Sequence, residues 1–213
     1  MNIFILKSNL NVYRTLVPAQ TKSLPIYRQF NGSDIRDWTG FKVELLNEGQ
    51  DLLQGDFPSL TSHIPVFSQR AREALGDKLD AAGQVFPLDA VNAGQRLFAL
   101  NVTTLVEALD LRKAEVKRFS SGRIMRIMRY AFQPEVVTGL NLFKIPETVL
   151  QDVYAGEAFL EAVKASGLAG FVFKLVWPKS NFLISCPHCS GVIDESTDFC
   201  PTCGLDTRNE APW

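Results

Sequence analysis

The residues best equipped for chemistry lie near the end of the chain, at Cys186-Pro187-His188-Cys189 and Cys200-Pro201-Thr202-Cys203-Gly204. These two CxxC pairs are ten residues apart and hold all four cysteines of the 213-residue chain. Sulfurs at this spacing can turn onto one ion. Two such knuckles, joined by a short hairpin, complete the tetrahedral four-thiolate shell that Zn²⁺ favours. The sequence therefore predicts one Zn²⁺ per chain, bound by Cys186, Cys189, Cys200 and Cys203. Four protein ligands leave no open position for water, so the expected role is structural. Gly204 follows the last ligand and can supply the positive φ that a knuckle needs there. His188 is a competing donor, though with four thiolates at hand it reads as a solvated spacer. Disulfides and free thiols are the alternatives. The opening Met1-Asn2-Ile3-Phe4-Ile5-Leu6-Lys7 lacks the basic n-region of a secretory signal. A cytoplasmic location is expected, where thiols stay reduced.

Chemistry elsewhere is sparse. The second histidine, His63, has no nucleophile elbow, HExxH helix or phosphate loop beside it. A surface or capping role suits it better than that of a general base. Asp34, Asp37 and Asp56 show no metal-loop spacing. No catalytic residue is assigned, and a non-enzymatic protein is expected. The remaining anomaly is basic: Arg112, Lys113, Lys117, Arg118, Arg123, Arg126 and Arg129 stand against Glu115 within residues 112–129. Such a stretch can meet an acidic partner or a phosphate backbone, or it can be a solvated strand edge. Arg112, Lys113, Lys117 and Arg118 are the partner-binding candidates.

The rest of the chain must position these groups. Hydrophobic residues make up 46% and charged residues 21%, with 15 Phe and a formal net charge of −1. That is the composition of a globular protein with an aromatic core. The charge balance disfavours a dedicated nucleic-acid binder. No apolar run approaches the ~20 residues that span a bilayer. Asn2 to Leu6, Phe41 to Leu45, Gln84 to Leu88, Gln95 to Val102 and Leu142 to Ile145 read as strands. Asn31 to Asp34 reads as a turn. Pro65 to Leu75 reads as a helix with Ser68 as N-cap and Gly76 at its end, and Thr103 to Leu109 as a shorter one. Ile124 to Phe132 is ambiguous: Arg123, Arg126 and Arg129 recur at helical spacing. The flanking Ser-Ser-Gly and Gln-Pro favour a strand. Gly156 to Ser166 is the clearest helix, with Gly167 as its C′ residue. Phe171, Phe173, Leu175 and Trp177 form the apolar face of a last strand. Helices and strands mix without a βαβ rhythm. The expected class is α+β, a mixed, largely antiparallel sheet with a few packed helices and a small C-terminal zinc ribbon. The expected division is a domain over 1–177, a linker at 178–182 and a zinc-ribbon tail over 183–213.

Several segments form an ordered set: Asn2-Ile3-Phe4-Ile5-Leu6-Lys7, Gly55-Asp56-Phe57-Pro58, Pro65-Val66-Phe67-Ser68, Leu97 to Thr103 and Ala108-Leu109-Asp110. Leu142 to Glu147 and Phe159 to Trp177, with its Gly167-Leu168-Ala169-Gly170-Phe171, complete it. Taken in order, these segments resemble the immunity-11 family of bacterial polymorphic toxin systems. The resemblance spans residues 1–177 and leaves the cysteine tail outside. It implies an α+β protein, encoded beside a toxin, that binds that toxin and protects the producing cell without chemistry of its own. Exposed members among Trp38, Trp213 and the basic stretch are its candidate anchors. The runner-up is a zinc-ribbon protein that binds nucleic acid or regulates, although the tail carries Asp194, Glu195, Asp198, Asp206 and Glu210 against Arg208.

Overall fold

Ile3 to Leu6 are buried on both sides of the backbone, so this segment can only be a central strand. A computed structural model of the chain describes residues 1–19, 24–46, 51–58, 60–177, 183–185, 189, 192–194 and 202–204. The chain runs β1 (Ile3–Ser8), β2 (Leu16–Pro18), α1 (Leu24–Tyr27), β3 (Lys42–Leu45), β4 (Val66–Ser68), α2 (Gln69–Ala82), β5 (Gly83–Ala90) and β6 (Leu97–Val102). It continues through β7 (Glu115–Arg118), β8 (Ile124–Arg129), α3 (Pro134–Val137), β9 (Leu142–Phe143), β10 (Tyr154–Gly156), α4 (Glu157–Ala165), β11 (Phe171–Trp177), β12 (Leu183–Ser185) and β13 (Val192–Asp194). A four-stranded sheet has the order β11-β1-β10-β9, and a five-stranded sheet the order β2-β3-β5-β6-β4. The β3–β5 pair is parallel and the other named pairs are antiparallel. The α+β class and the mixed, largely antiparallel sheet are as expected. Among the described residues no helix is long and apolar enough to cross a membrane.

Helix α2 shows how packing overrides a local stop signal. Its buried residues are Ala71, Leu75, Leu79 and Ala82, one stripe at helical spacing. Ser68 is the N-cap, as predicted, and its side chain accepts from the Ala71 amide at 3.0 Å. Gly76 was expected to end the helix but lies inside it. A mid-helix glycine costs about 1 kcal/mol, whereas burying Leu79 contributes about 2 kcal/mol. The helix ends at Gly83, where a Cβ would sit 2.0 Å from the Asn101 carbonyl oxygen. Only glycine lets β5 approach β6 so closely. The first residues of the predicted helix are strand instead, because Val66 pairs with Ala99 of β6.

Two further expectations change for tertiary reasons. Thr103 to Leu109 is extended, not helical. The Lys144 amide donates to the Thr104 carbonyl at 2.8 Å, and the Val106 amide to the Lys144 carbonyl at 3.0 Å. Those groups are committed sideways and cannot close a helical ladder. In β11 the predicted apolar face is broken by a bulge. Phe4 pairs with Leu175 and Ile3 with Trp177, so Val176 is the extra residue. Val176 turns into the core, while Leu175 is 43% exposed. Helix α4 matches its prediction, with Gly167 following at φ +58.

The core has three joined parts. One packs α2 and α4 with Leu6, Phe57, Phe67 and Leu100. A second gathers Phe30, Phe41, Val43, Ile64 and Leu97. A third holds Ile3 and Ile5 with Phe132, Phe143, Tyr154 and Val176. In the tail, β12 and β13 form an antiparallel hairpin pairing Ile184 with Ile193. Cys186 and Cys200, like the predicted linker 178–182, lie outside the described residues.

Candidate partner-binding surface

The basic stretch folds into the hairpin β7–β8, a two-stranded sheet of its own. Its base is fastened to the body. Leu109 bridges Phe132, and the Asp110 amide donates to the Ala131 carbonyl at 2.7 Å. Just past β8, Tyr130 accepts from the Tyr154 hydroxyl at 3.4 Å, and its ring stacks on Phe132. At the tip the Phe119 amide donates to the Arg123 carbonyl, and Arg123 lies 5.8 Å over the Phe119 ring.

Strand β8 resolves the ambiguity seen in the sequence. Ile124-Met125-Arg126-Ile127-Met128-Arg129 is a triplet repeated twice. A regular strand has period two and would scatter such a triplet over both faces. The structure inserts one bulge per triplet. Glu115 pairs with Arg129 and Val116 with Ile127, which leaves Met128 unpaired. Lys117 pairs with Arg126 and Arg118 with Ile124, which leaves Met125 unpaired. Both isoleucines then pack inward, with Val116, on the core around Ile5 and Phe132. Both arginines are exposed. Met125 and Met128 are 37% and 54% exposed at the bulges.

The four predicted partner-binding residues are all exposed, but they are not equivalent. Arg112 and Lys113 lie in the turn before β7. Lys113 pairs with Asp110 at 3.3 Å, and the Arg112 amide donates to the same carboxylate at 3.1 Å. Desolvation works against the Asp110 carboxylate, but these two partners outweigh it and hold its pKa below the usual range. Arg118 donates to the Gly122 carbonyl at 2.8 Å and braces the tip. Lys117 faces Arg126 across the hairpin, and neither has an ion-pair partner among the described residues. The exposure of Met125 and Met128 is not read from the sequence above; the Ile-Met-Arg triplet is the signal that carries it.

Other candidates turn out to be structural. His63 holds the Tyr27 carbonyl through Nε2 at 3.2 Å and contacts the Thr61 hydroxyl through Nδ1 at 3.1 Å. Burial lowers its pKa, the bond to Tyr27 opposes that, and the Lys144 charge adds to the lowering. It is a half-buried capping histidine. Trp38 stacks on Phe86 at 4.5 Å and meets Phe30 and Phe41 edge-on, so it serves the core. Trp213 and His188 lie outside the described residues. Lys144 escaped notice in the sequence. It is 0% exposed, donates to the Phe30 carbonyl at 2.6 Å, and has its pKa pushed down to about 8 by burial.

Three of the stretches that carried the family resemblance converge on a buried latch. Asp56 accepts from the Ser68 hydroxyl at 2.8 Å, from Arg70 at 2.9 Å and from the Ala169 amide at 2.9 Å. Arg70 also donates to the Ser166 and Gly167 carbonyls at the end of α4. Phe57 stacks on Phe171 at 4.5 Å. Gly55-Asp56-Phe57-Pro58, Ser68 and Gly167 to Phe171 thus tie α2 to α4, and they specify folding.

Among the described residues no three of His, Cys, Asp or Glu are grouped to hold a metal. Cys189 and Cys203 are described, and Gly204, which follows Cys203, has φ +73, the positive value expected there.

Comparison with curated proteins gives no match. A family model, described as Immunity protein family (Imm11), matches residues 11–176. That segment contains the latch, both larger sheets beyond β1 and the β7–β8 hairpin. With the match covering most of the chain, the protein belongs to the Immunity protein family (Imm11).

Proposed function

We propose that this chain binds and neutralises a cognate toxin by covering the toxin's active site, without chemistry of its own. The family match over residues 11–176 carries this reading. The exposed basic stretch supports it as a surface suited to an acidic partner, with Lys117 and Arg118 on β7 and Arg112 and Lys113 in the turn before it. The toxin is the product of the adjacent gene, and the encounter takes place in the cytoplasm of the producing cell. A toxin must stay inhibited at low concentration, so a nanomolar or tighter complex is required, about −12 kcal/mol.

The tail has a separate role in this reading. Cys186, Cys189, Cys200 and Cys203 would hold one structural Zn²⁺. The donor set is the support: two thiolate pairs, the first lying in the 186–191 connection of the β12–β13 hairpin. The ion would supply folding energy to a segment too small for a core of its own.

The test is co-expression with the adjacent open reading frame. The two products should co-purify, and this chain should restore growth to cells making the toxin. A toxin that kills equally well in the presence of this chain, folded and abundant, would rule the reading out. Salt-dependent binding to DNA or RNA with no toxin binding would favour the nucleic-acid reading instead.

A further inference from the structure

The outer face of the β7–β8 hairpin carries more than a general positive charge. Lys117 and Arg126 stand directly opposite each other. Like charges so placed destabilise a strand pair. A two-stranded hairpin is the element least able to absorb that cost. The next outward pair shows the complementary solution, because Glu115 meets Arg129 at 2.7 Å. Met125 and Met128, left unpaired at the bulges, are exposed and adjoin Arg126 and Arg129 in the chain. Arginine and methionine are both enriched at protein interfaces, and methionine adapts its shape to a partner's surface.

We infer that the Lys117–Arg126 pair, flanked by Met125 and Met128, is the docking face for an acidic, partly apolar protein surface on the toxin. A carboxylate set between Lys117 and Arg126 would turn a repulsive pair into a bridged one. Apolar side chains of the partner would cover the two methionines. A phosphate backbone would satisfy the cations, but it would leave the methionines without apolar cover and would meet Glu115 with repulsion. The face therefore suits a protein better than a nucleic acid. This inference rests on the toxin-neutralising reading, and the test separates the two.

Lys117→Glu discriminates because it acts oppositely on fold and on binding. In the full-length chain it places an acid against Arg126, so thermal stability should hold or rise. Binding is measured to two probes: the adjacent gene's polypeptide with its catalytic centre inactivated, and a 20-bp DNA duplex. With the polypeptide, the association rate should fall about 10-fold, and its dependence on ionic strength should flatten. Met128→Ser should leave association nearly unchanged and speed dissociation. Unchanged association for Lys117→Glu across salt concentrations overturns the docking face, even where the wild-type chain binds the polypeptide. A lowered melting temperature for Lys117→Glu overturns the repulsive-pair premise. Wild-type failure to bind the polypeptide defeats the neutralisation reading and this face with it. Duplex binding that Lys117→Glu abolishes, with no polypeptide binding, assigns the face to phosphate.

Discussion

The Asp56 latch and the β7–β8 hairpin both use charge, in opposite ways. At the latch, one buried carboxylate meets a hydroxyl, a guanidinium and a backbone amide, each within 2.9 Å. On the hairpin, Lys117 faces Arg126, and neither has an ion-pair partner among the described residues. A closed network specifies packing; an open one leaves interaction capacity for something outside the chain. On the proposed reading, the stretches that carried the resemblance need not be the ones that meet the partner. Residues at the latch are tied to each other. Arg126 and Arg129 on the hairpin are exposed, while the isoleucines inside keep it seated.

The strongest way to break the comparison is at the latch. Asp56→Ala leaves the Ser68 hydroxyl proton and the Ala169 amide without an acceptor and frees Arg70 from its carboxylate. The loss expected is on the order of 3 kcal/mol, since removing one member of a buried charged network strands the others. Urea unfolding of the variant should show a lowered midpoint with an unchanged slope. A midpoint equal to wild type would mean the latch is not closed as described.

Lys144 is a second buried charge, and it has one polar partner where Asp56 has three. Its folded pKa, about 8, lies below the ordinary 10.5. The unfolded chain therefore binds more protons between those values, and stability should rise with pH across that interval. The full interval is worth on the order of 3 kcal/mol. Tyr27 limits the usable window. Burial raises its pKa to about 12, so the stability it contributes is intact below pH 10 and is lost above it. Between pH 8 and 10, denaturant unfolding should show stability climbing by about 2 kcal/mol. Lys144→Met should flatten that slope and raise stability at pH 7. A wild-type profile already flat across this window would show that Lys144 keeps its charge at little cost.

The smallest effect on the core is expected from the tail. Cys200→Ser removes one of four thiolates, and protein purified without added metal should fall from about one zinc per chain to far less. Residues 1–177 contain no cysteine, so their unfolding midpoint should move by less than about 0.5 kcal/mol. A wild-type chain free of zinc under reducing handling would discard the zinc proposal. A large shift in the core transition would discard the independence of the tail.

Much of the architecture was legible in the chain. Ser68 announces a helix start because its hydroxyl can cap the Ala71 amide, and that geometry is local. Phe159 and Val163 are one helical turn apart and both turn inward, again by local periodicity. Strand β1 is apolar at four successive positions, which only a central strand can use. The basic stretch was visible as composition, and so were the paired cysteines.

Tertiary structure decided what depends on neighbours distant in sequence. Gly76 could not be read as interior, because the residues that bury Leu79 lie on other elements. Thr103 to Leu109 lost its helix to the backbone of Lys144. Lys144 itself became a buried cation because the Phe30 carbonyl stands within 2.6 Å. The Ile-Met-Arg triplet is the clearest case. By itself it states a period of three, which one face of a helix accepts over a turn or two and a regular strand of period two does not. Pairing with β7 made it a strand, and a bulge in each triplet absorbed the surplus residue. Local sequence carries the preferences of each residue. The register that puts isoleucine inside, arginine outside and Lys117 against Arg126 exists only once a second strand is in place.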